Sequence, residues 1–137
     1  MLQINNGQFD STWNITDDQV MGGKSQSYIN LVSDYAVFNG TISSDGGGFC
    51  TTQSRDLDPI DVSQYDGLAL TVSSEKNFIY KMALGDATDK FFYVTWEAAF
   101  EVQAGQTWQT IYIPFDSFSP SWYGYYQWSW LFPLDTA

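Results

Sequence analysis

Histidine is absent from this 137-residue chain, cysteine occurs once, and basic residues number only five. Each shortage closes off some chemistry. Without an imidazole base, hydrolysis by a serine or cysteine nucleophile on the usual triad pattern is excluded, and the common zinc donor sets are missing. The single Cys50 forbids an internal disulfide, so the disulfide-stapled class is excluded. In an alternating stretch it reads as a small core residue. Five bases stand against sixteen acids, a net charge of −11. Such a field repels phosphate backbones, and no basic stripe exists to track one, which argues against nucleic acid as a partner. The acid surplus serves either solubility or the steering of a basic partner.

Long apolar runs are also lacking. None approaches the ~18 residues that a membrane-spanning helix needs. The opening Met1-Leu-Gln-Ile-Asn-Asn6 has neither the basic nor the apolar region of a signal peptide. A cytoplasmic or organelle-interior setting is therefore expected. In that setting the sequons Asn14-Ile-Thr16 and Asn39-Gly-Thr41 are chance matches.

What is present is apolar and aromatic. Hydrophobic residues make up 44% and aromatics 18%, enough to build a core within one domain spanning 1–137. Period-two alternation dominates, over Tyr35–Ile42, Phe49–Ser54, Leu68–Ser73, Phe78–Leu84, Phe92–Phe100 and Trp108–Pro114. Turn signals separate these runs, at Asn6-Gly7, Asp45 to Gly48, Asp58-Pro59, Asp66-Gly67, Gly85-Asp86 and Ala104-Gly105. Short strands spaced in this way, without amphipathic helices between them, predict an all-β fold built as an antiparallel β-sandwich. Leu68, Leu70, Val72, Tyr80, Phe92, Val94 and Ile111 are expected to be mostly buried. Only Trp96–Val102, with its Glu-Ala-Ala composition, would also suit a turn of helix.

Few constellations carry chemistry. Glu97 and Glu101 are the one pair that hints at acid–base work, but on a strand they stand ~13 Å apart at ~3.3 Å per residue. Glycosidase carboxyls need about 5–9.5 Å. Asp56, Asp58, Asp61 and Asp66 crowd a loop that could hold calcium through carboxylates and carbonyls, although the spacing matches no EF-hand and turn-capping is the commoner role. Gly46-Gly47-Gly48 is followed by no Lys-Ser/Thr, so it reads as backbone freedom in a tight turn, with no phosphate to cradle. Two segments stand out as candidate surfaces. The first is the loop Asp17-Asp18-Gln-Val-Met21-Gly22-Gly23-Lys-Ser25, whose paired glycines suggest close approach of the backbone to something. At least one of Gly22 and Gly23 is expected at positive φ. The second holds seven aromatics in eleven residues: Trp122, Tyr123, Tyr125, Tyr126, Trp128, Trp130 and Phe132. Interfaces favour such rings, and a surface tail would not expose them singly.

Four ordered blocks resemble the complex I intermediate-associated protein family of the thirty-kilodalton type. They are Trp13 with Asp17 to Ser25; Phe38-Asn-Gly-Thr-Ile-Ser43 with Gly47-Gly-Phe49; Tyr65-Asp-Gly-Leu-Ala-Leu70; and Trp108-Gln-Thr-Ile-Tyr-Ile-Pro-Phe115 with Phe118 and Pro120. Tyr80-Lys81 adds a fifth, weaker match. The resemblance implies a galactose-binding-like jelly roll and an assembly or accessory factor of a respiratory or photosynthetic membrane complex. It implies no catalytic residue, cofactor or metal. Its expected partner is a protein, a membrane-complex subunit or assembly intermediate, met in the mitochondrial matrix, the plastid stroma or the cytoplasm, with self-association as a further possibility. The chain departs from the family at Ser73–Asn77, where a glycine-rich turn is usual. It also ends soon after Pro133-Leu134-Asp135, where the family goes on to another strand pair, so either the chain is cut short or the sandwich is a reduced form whose exposed edge something must cover. The alternative is a carbohydrate-binding module that uses the aromatic segment as a stacking platform.

Overall fold

The computed structural model describes residues 13–32, 35–46, 48–54, 60–85, 94–122, 125–126, 134 and 136. They fall into two compact units, Met1–Asp58 and Pro59–Ala137. The fold is all-β. Every strand pairing is antiparallel, and the only helical turns among the described residues are two short 3-10 turns.

In the first unit, β1 (Trp13–Asp17) pairs with β4 (Cys50–Ser54), and β2 (Gln26–Val32) pairs with β3 (Tyr35–Thr41). A 3-10 turn, Asp18–Met21, leads from β1 toward β2. In the second unit, β5 (Gly67–Ser74) pairs with β8 (Gly105–Pro114). The strands β6 (Phe78–Leu84), β7 (Val94–Val102), β9 (Ser119–Trp122) and β10 (Tyr125–Tyr126) form a four-stranded sheet in the order β10-β9-β7-β6. The second 3-10 turn, Phe115–Ser117, joins β8 to β9.

Alternation explains β7. Val94, Trp96, Ala98 and Val102 are buried, while Ala99 and Glu101 between them face solvent. A helix over Trp96–Val102 would mix these two sets, and by staying extended β7 pairs with β6 over Trp96–Val102 and with β9 over Val94–Glu97. The helical alternative for this stretch is therefore set aside. The core of the second unit joins Val94, Trp96 and Ala98 to Ile113 of β8 and to Phe118, with Leu68, Met82, Leu84 and Ile111 packed against them. Two sheets thus face each other across one apolar layer, a β-sandwich. Of the expected core residues, Val94 is at the centre, and Leu68, Leu70, Val72, Tyr80 and Ile111 are partly buried. Phe92 lies outside the described residues. The most enclosed apolar side chain, Trp96, sits on β7, which has neighbours on both sides, whereas among the described residues β5 pairs with β8 alone.

The first unit has a different interior. Its buried described side chains are all polar: Asp17, Asp18, Ser25 and Ser27. Cys50, expected in a core, is partly buried in this setting. Burial, together with the negative charges of Asp17 and Asp18, pushes its thiol above the ordinary value.

Candidate functional site

The loop between β1 and β2 is the most tightly built surface feature of the first unit. It begins at two adjacent carboxylates, Asp17 at the end of β1 and Asp18 at the start of the 3-10 turn, and each takes one serine, Ser27 of β2 and Ser25 just before it. Asp17 accepts from the Ser27 N–H at 2.7 Å and from the Ser27 hydroxyl at 2.6 Å. Asp18 accepts from the Ser25 N–H at 2.9 Å and from the Ser25 hydroxyl at 2.5 Å. The Ser25 hydroxyl in turn accepts from the Ser43 N–H at 2.9 Å, which ties in the segment after β3. Buried carboxylates are costly unless hydrogen-bonded, and here both are. Burial pushes the Asp18 carboxyl upward. The Ser25 hydroxyl and N–H, with the N–H groups of Gly48 and Phe49, outweigh that and hold it below the ordinary aspartate value.

The two glycines are needed for separate reasons. Gly22 closes the 3-10 turn at φ +86°, its N–H donating to the Gln19 carbonyl at 3.1 Å. Only glycine adopts that geometry without strain. Gly23 donates to the Asp18 carbonyl at 2.9 Å, and a Cβ there would stand 2.3 Å from the Asp18 carboxyl carbon. The anticipated close approach is therefore to the protein's own buried carboxylate. Gln19 adds a bond from its amide to the Ser25 carbonyl at 3.0 Å, and Lys24 pairs with Asp45 across the loop mouth. What the frame holds outward is Val20 and Met21, each 72% exposed.

The expected loop residues thus divide. Asp17, Asp18, Gly22 and Gly23 build the frame, and Met21 is presented by it. Val20 and Ser25 fall within the loop that the sequence singles out but carry no assigned role there, and Ser27 lies beyond it, although the sequence carries the signal: Ser25-x-Ser27 has strand periodicity, which sets two hydroxyls on one face to meet two consecutive acids.

The aromatic segment is described only in its backbone and only in part. Trp122 ends β9, opposite Val94 of β7 and Tyr125 of β10, and Tyr126 lies opposite Ser121 at the sheet's edge. Tyr123, Trp128, Trp130 and Phe132 lie outside the described residues. Glu97 and Glu101 sit two pleats apart on β7. Glu97 accepts from Lys81 at 3.1 Å and Glu101 from Gln103 at 2.9 Å, so they form no acid–base pair. Of the acidic loop, Asp61 accepts from the Ser63 N–H at 2.9 Å in a local turn, and the Ser63 hydroxyl together with that N–H holds its carboxyl below the ordinary value. Asp56 and Asp58 lie outside the described residues. Among the described residues no group of three acids or thiols could hold a metal ion, and no helix is long and apolar enough to cross a membrane.

These features define an antiparallel β-protein with a braced, apolar-tipped loop. The family model of Complex I intermediate-associated protein 30 matches residues 2–129, and the chain belongs to that family. No curated protein and no solved structure matches it.

Proposed function

We propose that this chain is a non-catalytic protein-binding domain that works as an assembly or accessory factor of a membrane-bound respiratory or photosynthetic complex. The observation that carries the reading is the family match over nearly the whole chain. The family's name ties it to intermediates of complex I. The reading takes with it the galactose-binding-like jelly roll and a workplace beside the membrane, in the matrix, stroma or cytoplasm.

Two surfaces serve the role. One is the Val20–Met21 tip, where apolar side chains meet water on a fixed frame, so little entropy is lost when they dock. The other is the aromatic segment with Trp122, Tyr123, Tyr125, Tyr126, Trp128, Trp130 and Phe132, rich in the residues that dominate interface energies. Affinity purification of the tagged chain from its native source, followed by native gels and mass spectrometry, tests the reading. Co-migration with a subassembly of a membrane complex supports it. Recovery of the chain alone, at native expression, sinks it. Replacing Trp128 and Trp130 with Ser should remove that co-migration while the strand core stays folded.

A second reading, carbohydrate binding, draws support from a polar hollow on the outer face of β2 and β3. Gln26 faces Thr41 and Tyr28 faces Asn39, with Lys24 at the rim, in an open depression of ≈ 590 Å³. An exposed ring flanked by amides is the form a sugar-stacking site takes. Glycan-array binding lost in Tyr28→Ala would favour it over the first reading.

A further inference from the structure

The second unit holds a hollow of different chemistry. Antiparallel pairing sets Gly67, the start of β5, opposite Pro114, the end of β8. The residues just outside that pair therefore converge. Tyr65 and Asp66 come from one side and Phe115 and Asp116 from the other; with Tyr112, which stands two residues inside the ladder on β8, and with Pro114 and Thr136, they line an open depression of ≈ 390 Å³. Its walls are fixed by the fold. The Phe115 N–H donates to the Asp66 carbonyl at 2.9 Å, and the Tyr65 N–H donates to the Val62 carbonyl at 2.9 Å. The Phe115 ring lies 6.4 Å from that of Phe118, a core residue. At Gly67 a Cβ would come within 2.9 Å of Tyr112 Cζ, so the bare glycine lets that ring lie over the backbone.

Three aromatic residues and two aspartates thus line one open depression, and no basic residue is among those lining it. Ring faces carry negative potential, the carboxylates carry full charge, and both favour the same occupant, a cation. Tyr65 and Tyr112 are well exposed, at 40% and 55%, so their surfaces are open to it. We propose that this hollow receives an arginine side chain of a protein partner. A guanidinium stacks flat on tyrosine and forks to a carboxylate, which suits this mixture of walls better than the compact ammonium of lysine. The net charge of −11 would draw a basic segment toward it. The proposal rests on the protein-binding reading for the source of the arginine, although not for the chemistry of the hollow.

The test uses the full chain and no partner. Amide chemical shifts are followed by NMR while N-acetyl-arginine amide is added, with the neutral citrulline analogue as the control. Saturable shifts at Asp66, Gly67, Tyr112, Phe115 and Asp116 are expected with arginine and not with citrulline. Asp66→Asn and Asp116→Asn should each weaken binding about threefold or more, and Tyr112→Ala likewise. Glu75→Gln removes the same charge elsewhere and should change nothing. Equal shifts with citrulline, or equal weakening by Glu75→Gln, would overturn the proposal, since the first means no cation recognition and the second a diffuse field. Should Tyr112→Ala fail to fold, the two exposed aspartates still decide the matter. The absence of arginine binding would leave the assembly role to be judged by affinity purification, so the two failures are distinct.

Discussion

The two units of this chain enclose opposite kinds of interior. Pro59–Ala137 buries Val94, Trp96, Ala98, Val102, Ile113 and Phe118. Among the described residues, Met1–Asp58 buries two aspartates and two serines, while Tyr28, Leu31, Val32, Tyr35, Val37 and Phe38 of its hairpin stay more than a third exposed. An apolar layer is non-directional and tolerates local repacking. A buried polar cluster is directional, and each donor or acceptor left unpaired is costly. The second unit should therefore derive its stability from volume, and the first its shape from hydrogen bonds. That division suits a molecule that needs a stable sandwich in one part and a fixed presenting loop in the other.

The largest effect should come from breaking the apolar side of the comparison. Trp96→Ala empties the most enclosed position of the sandwich, only 1% exposed. Large-to-small changes at such aromatics cost about 3–5 kcal/mol. Urea denaturation followed by circular dichroism measures this. Phe38→Ala in the first unit, where the ring is already 39% exposed, should cost less than half as much. Equal losses at the two positions would mean that the hairpin of the first unit is as apolar in its packing as the sandwich, and the contrast would fail.

The polar side breaks differently. Ser25→Ala removes the hydroxyl that joins Asp18 to Ser43, leaving buried groups short of a partner. Losing such a bond costs about 1–3 kcal/mol. Gly23→Val should do comparable harm by overpacking, about 1–3 kcal/mol, because its side chain would collide with the Asp18 carboxylate. Ser73→Ala, on an exposed hydroxyl, serves as the neutral control for the same melting experiment. A Ser25→Ala protein that melts with wild type would show that water replaces the serine, and that the frame is not dry.

Acid should act on the first unit in particular. The folded Asp18 carboxyl lies below its ordinary value because Ser25, Gly48 and Phe49 donate to its charged form, against the opposing pull of burial. A depressed carboxyl stabilises the fold above its unfolded pKa, and that contribution is lost as pH falls through the lower, folded value. Stability measured from neutral pH down into the acid range should therefore fall less steeply in Asp18→Asn than in wild type, from a lower starting point. Parallel curves would mean that Asp18 does not titrate differently in the folded state.

The sandwich was largely legible in the sequence, because alternation reports a strand with one face buried and β7 alternates over its whole length. The polar unit was legible only in outline. Its strands at Tyr35–Thr41 and Cys50–Ser54 follow the alternation, but nothing in composition says that Asp17 and Asp18 point inward. Acids at a strand end read as solvated turn residues, and they become buried only because Ser25 and Ser27, before and within β2, return beside them, a pairing set by tertiary register. The same holds for the hollow at Tyr65 and Tyr112. Its two halves are separated by most of the unit's sequence and meet only through the ladder of β5 and β8.

The smallest effect on stability, and the most telling for function, is expected at the loop tip. Val20 and Met21 are the two most exposed large apolar residues described, and their own frame lies beneath them in Asp18, Gly22 and Gly23. Replacing both with Ser removes apolar surface that already faces water, so the change in stability should stay within about 0.5 kcal/mol. If the tip docks to a partner, the same double variant should lose co-purification with the membrane-complex subassembly, because it strips the apolar anchor and leaves the frame intact. The comparison with Ser25→Ala then separates two roles in one loop, since that variant weakens the fold and binding together. Retained binding in Val20→Ser/Met21→Ser, with a normal melting curve, would remove the tip from the interface and leave the aromatic residues from Trp122 to Phe132 to carry it. A large loss of stability would instead show that the tip is covered by the protein itself, and that its exposure does not mark a surface for another molecule.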